Sequence, residues 1–136
     1  LLYEPRAIEL ALKSGFDDCM LITKARGSGD EVYVTVNGRM HSTGLGKDLP
    51  SYNAVGEIVG ISKLSPVFLE NLFHMSENDP ASEYSNMHYE ECVFETSSFE
   101  RPIHALFCED LVWTDIDNED DLAMAKETVY PRIKDA

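Results

Sequence analysis

Apolar positions at Ala7, Ile8, Leu10, Ala11 and Leu12 fall on one side of a helix, behind a proline, Pro5, that suits a first helical turn. Ser14-Gly15 then supplies the stop, with glycine in the position that ends a helix. The stretch from Cys19 to Thr23 is short, continuous and apolar, which predicts a strand buried on both faces. A loop from Lys24 to Asp30 follows, containing Gly27, Ser28 and Gly29. Val32, Val34 and Val36 alternate with Tyr33 and Thr35, the period of a half-buried strand. Asn37-Gly38 is a strong hairpin signal, so Arg39 to Thr43 is predicted as the returning strand.

Gly44 to Tyr52 reads as a polar loop with Lys47 in its middle. Glu57 to Ser62 reads as a strand, with Gly60 marking a place where backbone or ligand comes close. Ser65 as N-cap and Pro66 behind it start a helix through Phe68, Leu69, Leu72 and Phe73, broken at Ser76 to Ala81. A further helix is predicted from Tyr84 to Phe94, a strand from Ile103 to Phe107, and a second apolar run from Leu111 to Trp113. Asn118 to Asp121 has the pattern of a capping box, and its helix continues through Leu122, Ala125 and Val129 to Pro131. Strands and helices alternate without repeats, so the fold class is α/β: a mixed sheet flanked by helices, with an inserted β-hairpin.

At 136 residues the chain is expected to form a single domain, residues 1–136. No run approaches the ~18 apolar residues of a membrane span, and the start has no signal-peptide pattern. The first residue is Leu1 rather than Met and the first residues already read as structured, so a cut piece of a longer chain is expected. The net charge of −14 argues against a nucleic-acid interface and against a basic membrane-surface helix. That charge is localised: fifteen acidic residues and one basic residue, Arg101, lie between Glu70 and Asp121. Such a run is either a solvated face or a set of carboxylates converging on a cation. The three cysteines, Cys19, Cys92 and Cys108, form no C-x-x-C pair, which fits buried free thiols in a cytoplasmic protein. The four histidines show no zinc spacing.

Asp115 and Asp117 are two apart, so on extended chain both side chains share a face. Adjacent carboxylates repel unless a cation lies between them, and oxygen-only ligation with room for phosphate suits Mg²⁺. The alternative is that Asp117 or Asn118 only caps the following helix while Asp115 is solvated. A calcium loop is excluded, because its sixth position is Asp120 instead of glycine and its twelfth is Lys126 instead of glutamate. Glu90 and Glu91, after Tyr89, make a second acidic cluster, and Lys47 and Lys63 are candidate cations for a phosphate.

Taken in order, several segments resemble the C-terminal part of cytidylyltransferase-like nucleotidyltransferases, the group that includes bacterial phosphocholine and aminoethylphosphonate cytidylyltransferases. They are Leu2 to Pro5 with its helix, Asp30-Glu31-Val32 before the hairpin, Gly46 to Leu49, Gly56 to Ser65, Tyr89 to Glu91 and Trp113 to Asp120. The resemblance spans residues 1–133 and implies a partial nucleotide-diphospho-sugar transferase-like, Rossmann-like domain.

What the resemblance implies is transfer of CMP from CTP to a phosphocholine-like, phosphonate or sugar-phosphate acceptor, with release of pyrophosphate. It assigns Mg²⁺ to Asp115 and Asp117, with aspartate at the first position where the family usually has glutamate. It assigns acceptor-side roles to Glu90, or Glu91 beside it, and a phosphate role to Lys47. A cationic acceptor head would meet aromatic walls from Tyr84, Tyr89 and Trp113. The family's Gly-rich nucleotide loop between a strand and a helix is missing from these residues. An acceptor-binding half, inactive alone and forming a homo-oligomer, is therefore expected. The alternative is a non-catalytic acidic interaction domain derived from the same fold.

Overall fold

The computed structural model describes residues 1–78, 86–98 and 100–135. Strand β1 (Leu2–Tyr3) leads into helix α1 (Arg6–Lys13), followed by β2 (Cys19–Thr23), β3 (Tyr33–Val36), β4 (Ser42–Gly46) and β5 (Gly56–Lys63). Helices α2 (Pro66–Asn78) and α3 (Tyr89–Thr96) come next, then β6 (His104–Phe107) and β7 (Trp113–Thr114). The C-terminal helical stretch is α4 (Glu119–Met124), a wider π turn over Ala125–Val129, and α5 (Tyr130–Lys134). No helix among the described residues is long and apolar enough to cross a membrane.

Five strands form one sheet in the order β4-β3-β5-β2-β6. Only β6 runs parallel to its neighbour, β2; the other pairings are antiparallel, which makes the sheet mixed as expected. Every residue of β2 is buried, and its alternation feeds two cores. Met20 and Ile22 pack with Phe68 of α2, Val93 of α3 and Ile103 on one face. Leu21 packs with Ala7 and Ala11 of α1, Val59 and Trp113 on the other. Each large apolar side chain so buried is worth about 1.5–3 kcal/mol, so this strand is the main support of both layers.

Local chemistry accounts for the element ends. Gly15 takes φ +74° after α1, and the Ser65 hydroxyl accepts the Phe68 amide at 3.2 Å to start α2. Between β2 and β5, Met20 pairs with Ser62 but Ile22 with Ile58, so β5 carries a bulge opposite Leu21. Gly60 sits in that bulge at φ +84°, which accounts for a glycine inside a strand.

Several expectations need correction. Asn37-Gly38 does not form a two-residue turn. Asn37 pairs with His41 around a three-residue loop, with Met40 in the left-handed region at φ +60°. The Asn37 carboxamide oxygen accepts the amides of Arg39 and His41, which stabilises the longer turn. The returning strand is consequently Ser42–Gly46, and it takes in the first residues assigned to the polar loop. Helix α2 does not break at Ser76 but continues to Asn78. Helix α3 begins at Tyr89, later than expected, with a capping box between His88 and Glu91; Tyr84 lies outside the described residues. The last helix passes Pro131, because the wider turn before it accommodates a ring that lacks an N–H donor. Leu2–Tyr3 is an unpredicted strand, pairing with Trp113 and Thr114 far along the chain.

Candidate functional site

A cleft of about 750 Å³ opens where four loops meet the sheet. The loop after β2 contributes Arg26 and Asp30, and the turn after β4 contributes Lys47 and Asp48. Strand β5 adds Glu57 and Gly60, and the start of α3 adds His88, Glu90 and Glu91. Trp113 of β7 and the following Asp115 and Asp117 complete the wall. Six of the residues singled out from sequence, Lys47, Glu90, Glu91, Trp113, Asp115 and Asp117, thus share one cavity.

The β2–β3 loop is shaped by its glycines and one carboxylate. Gly27 and Gly29 take φ +76° and +91°, and Glu31 accepts the amides of Ser28 and Gly29. This fold-back brings Arg26 beside Glu57. The backbone N–H of Arg26 and its Nε both donate to Glu57 Oε1, at 3.0 and 2.7 Å. Burial raises the Glu57 carboxyl above its ordinary pKa, and Arg26 offsets only part of that rise. The guanidinium carbon of Arg26 lies 3.9 Å from the Trp113 ring centroid, a cation–π contact. Trp113 is itself buried and donates from Nε1 to Thr23 Oγ1 at 3.1 Å.

Lys47 Nζ is ion-paired with Asp30 Oδ1, and both side chains are exposed. The Asp30 hydrogen bond holds the Lys47 pKa above its ordinary value, with Asp117 and Glu90 adding to the effect. The lysine therefore stays charged and faces carboxylates from the opposite wall.

Asp115 and Asp117 both line the cleft, and neither caps the following helix. That task falls to Asn118, whose Oδ1 accepts the Asp121 amide at 3.0 Å; Asp121 Oδ2 in turn accepts the Asp117 amide at 3.1 Å. Desolvation pushes the Asp115 carboxyl above its ordinary pKa, with the negative Asp117 and Glu90 adding to the rise and Arg26 opposing it. Among the described residues no cluster of three or more His, Cys, Asp or Glu side chains is close enough to hold a metal ion. Two oxygen donors suit an ion that keeps water and takes substrate phosphates as its remaining ligands, as Mg²⁺ does.

Of the three aromatic wall candidates, Tyr84 lies outside the described residues and Trp113 lines the cleft. Tyr89 is half-exposed at the start of α3 and is not among the cleft residues, and the Trp113 ring lies against Arg26. Lys63 also lies outside the cleft lining. Sequence reasoning gave no role to Arg26, Asp30 or Glu57. The last two fall inside segments that carry the family resemblance, whereas a single loop arginine offers no signal at all.

No family model matches the sequence. Two solved structures share its fold. The inositol-1-phosphate CTP transferase from T. maritima superposes with a TM-score of 0.68 at 16% identity, covering 99% of this chain and 53% of that one. A CMP:2-keto-3-deoxy-manno-octonic acid synthetase complexed with CTP superposes with a TM-score of 0.61 at 15% identity, covering 98% and 60%. The chain thus spans between half and two thirds of the length of these structures. At such identities the likeness is one of architecture: this chain has the mixed-sheet α/β fold seen in two CTP-handling enzymes.

Proposed function

We propose that this chain is the acceptor-binding part of a nucleotidyltransferase that moves CMP from CTP onto a phosphorylated acceptor. The observation that supports this most is the single cleft in which a charged lysine, Lys47, faces Asp115, Asp117 and Glu90. In this reading an acceptor phosphate or phosphonate oxygen attacks the α-phosphorus of CTP. The bond from that phosphorus to the bridging oxygen of the β-phosphate breaks, and pyrophosphate leaves. The nucleophile is already an anion, so positioning and charge neutralisation matter more than proton transfer. Lys47 exchanges Asp30 for a phosphoryl oxygen, and Glu90 and Glu91 orient the acceptor's other end.

Asp115 and Asp117 would hold Mg²⁺, with substrate phosphates completing its shell. Bound there, the ion would neutralise charge on the phosphoryl oxygens. A phosphocholine-like acceptor fits the acidic wall, since a quaternary ammonium head favours nearby carboxylates.

The test is pyrophosphate release from CTP and Mg²⁺ with phosphocholine, aminoethylphosphonate or inositol 1-phosphate. The longest polypeptide encoded by the reading frame that contains these residues should turn over with at least one acceptor. The 136 residues have no Gly-rich loop between a strand and a helix, so alone they should bind acceptor without releasing pyrophosphate. Silence of the longer polypeptide with all three would leave the acidic interaction domain as the better reading.

A further inference from the structure

Arg26 is held in place by two separate partners. Its Nε and backbone N–H are committed to Glu57, whose side chain is 2% exposed, and its guanidinium plane is backed by the buried Trp113 ring. Among the described residues its two terminal amino groups make no hydrogen bond or ion pair, although the side chain lines the cleft and is 36% exposed. An arginine fixed through Nε and one face keeps a planar pair of donors for a tetrahedral oxyanion, and it has already lost the rotamer freedom that binding would otherwise remove. Lys47, the other cation of the cleft, is by contrast already engaged by Asp30.

We propose that Arg26, rather than Lys47, is the primary grip on the ligand's phosphoryl or phosphonyl group, with Trp113 and Glu57 as its positioning residues. This rests on the reading of the cleft as a phosphate-ester site and names the residue that selects phosphorylated over unphosphorylated ligands. The acidic surroundings sharpen the selection. Asp115, Asp117, Glu90 and Glu91 repel an anion that lacks a fixed partner, so the guanidinium decides whether a phosphate enters.

Trp113 is the single tryptophan of the chain, so its fluorescence reports directly on the guanidinium stacked against it. Phosphocholine titrated into the chain with Mg²⁺ should change Trp113 emission with saturation, and choline should not. Arg26→Gln should weaken phosphocholine binding, read by calorimetry, at least tenfold. Arg26→Lys should fail to restore it, because a point charge lacks the two-pronged geometry. Urea titration of each variant establishes that it is folded under assay conditions. On the unsubstituted chain, the Arg26 guanidinium ¹⁵N resonances should shift with phosphocholine and not with choline, a readout that survives even if a variant fails to fold.

Unchanged phosphocholine affinity in folded Arg26→Gln overturns the assignment, as does a stationary Arg26 resonance at saturation. Pyrophosphate release by the longer polypeptide is independent of both readouts. Turnover there with no Arg26 response would sink that assignment and leave the transfer reading standing.

Discussion

The amide of Ala105 donates to the carbonyl of Met40 at 2.9 Å, joining the hairpin tip beside edge strand β4 to the opposite edge strand, β6. Ser42 adds a second bond of this seam, its amide donating to the Ile103 carbonyl at 2.9 Å. Around it the His41 and His104 rings meet edge to face at 4.4 Å, and Phe16 stacks on His104 at 4.0 Å.

The seam should weaken in acid. Burial, then repulsion from His41, holds the His104 pKa below its ordinary value, while the carbonyl and carboxylate of Asp18 act against that shift. A histidine whose folded pKa is depressed binds fewer protons folded than unfolded. Its stabilising contribution is therefore complete above ~6.5 and is lost as pH falls through the lower folded value. Urea midpoints should be lower at pH 5.5 than at pH 7.5, and His104→Phe should flatten that difference while keeping the ring stack. An equal pH response in the variant would assign the effect to other groups.

The division of labour between Asp117 and Asn118 gives a paired test. Asn118→Ala removes the cap of α4 and should cost about 1 kcal/mol in urea unfolding, with metal affinity unchanged. Asp117→Asn leaves that cap in place and should leave stability almost unchanged. It should nevertheless weaken Mn²⁺ binding, read by paramagnetic broadening, and lower transfer by the longer polypeptide about 100-fold or more. Normal turnover of Asp117→Asn at saturating Mg²⁺ would remove the metal assignment.

Metal affinity should also follow the Asp115 carboxyl. Its pKa lies above the ordinary aspartate value, and the ligand must be ionised to bind. Mn²⁺ affinity should therefore begin to fall, as pH is lowered, at a higher pH than an unperturbed aspartate would give. Asp115→Asn should abolish that dependence together with most of the affinity. A pH profile centred on the ordinary aspartate range would place the metal elsewhere.

Arg26 also has a structural duty separable from ligand binding. Its removal leaves Glu57 buried without its cation, so Arg26→Ala should cost about 2 kcal/mol of stability. Adding Glu57→Gln should recover part of that loss, since the stranded group is then neutral. A double-mutant cycle by urea denaturation measures the coupling, and strict additivity would mean that the pair contributes nothing.

Gly56 marks a steric limit in the same strand. A Cβ there would lie 2.2 Å from the Thr23 carbonyl oxygen, a backbone atom that cannot rotate away. Gly56→Ala should therefore shift β5 against β2 and lower stability by about 2 kcal/mol, in the range of core overpacking. Gly38→Ala, with nothing within 4 Å and no positive φ, should be almost silent in the same assay.

Where a signal was confined to a few neighbouring residues, it was legible in the sequence. The all-apolar β2, the Gly15 stop, the Ser65 cap and the Asn118 cap all depend on chemistry acting within a turn or a strand, and all stand in the structure. The turn at Asn37-Gly38 is longer than its dipeptide suggests because the Asn37 carboxamide and the bonds from Met40 to β6 and from Ser42 to Ile103 together hold a three-residue loop. Continuation of the helix through Pro131 likewise depends on the wider turn over Ala125–Val129, which no short sequence signal marks.

The α/β alternation and the supply of carboxylates can be read along the chain, because hydrophobic period and residue type are local properties. Which of these residues share a cleft depends on how the strands are ordered in space. Strands that are neighbours in space are not neighbours in the chain: β5 lies between β3 and β2, and β1 pairs with β7. That order brings Arg26, Glu57 and Trp113 into contact from three separate segments. It is set by the joint burial of two apolar faces around β2, a long-range energy that no short motif encodes.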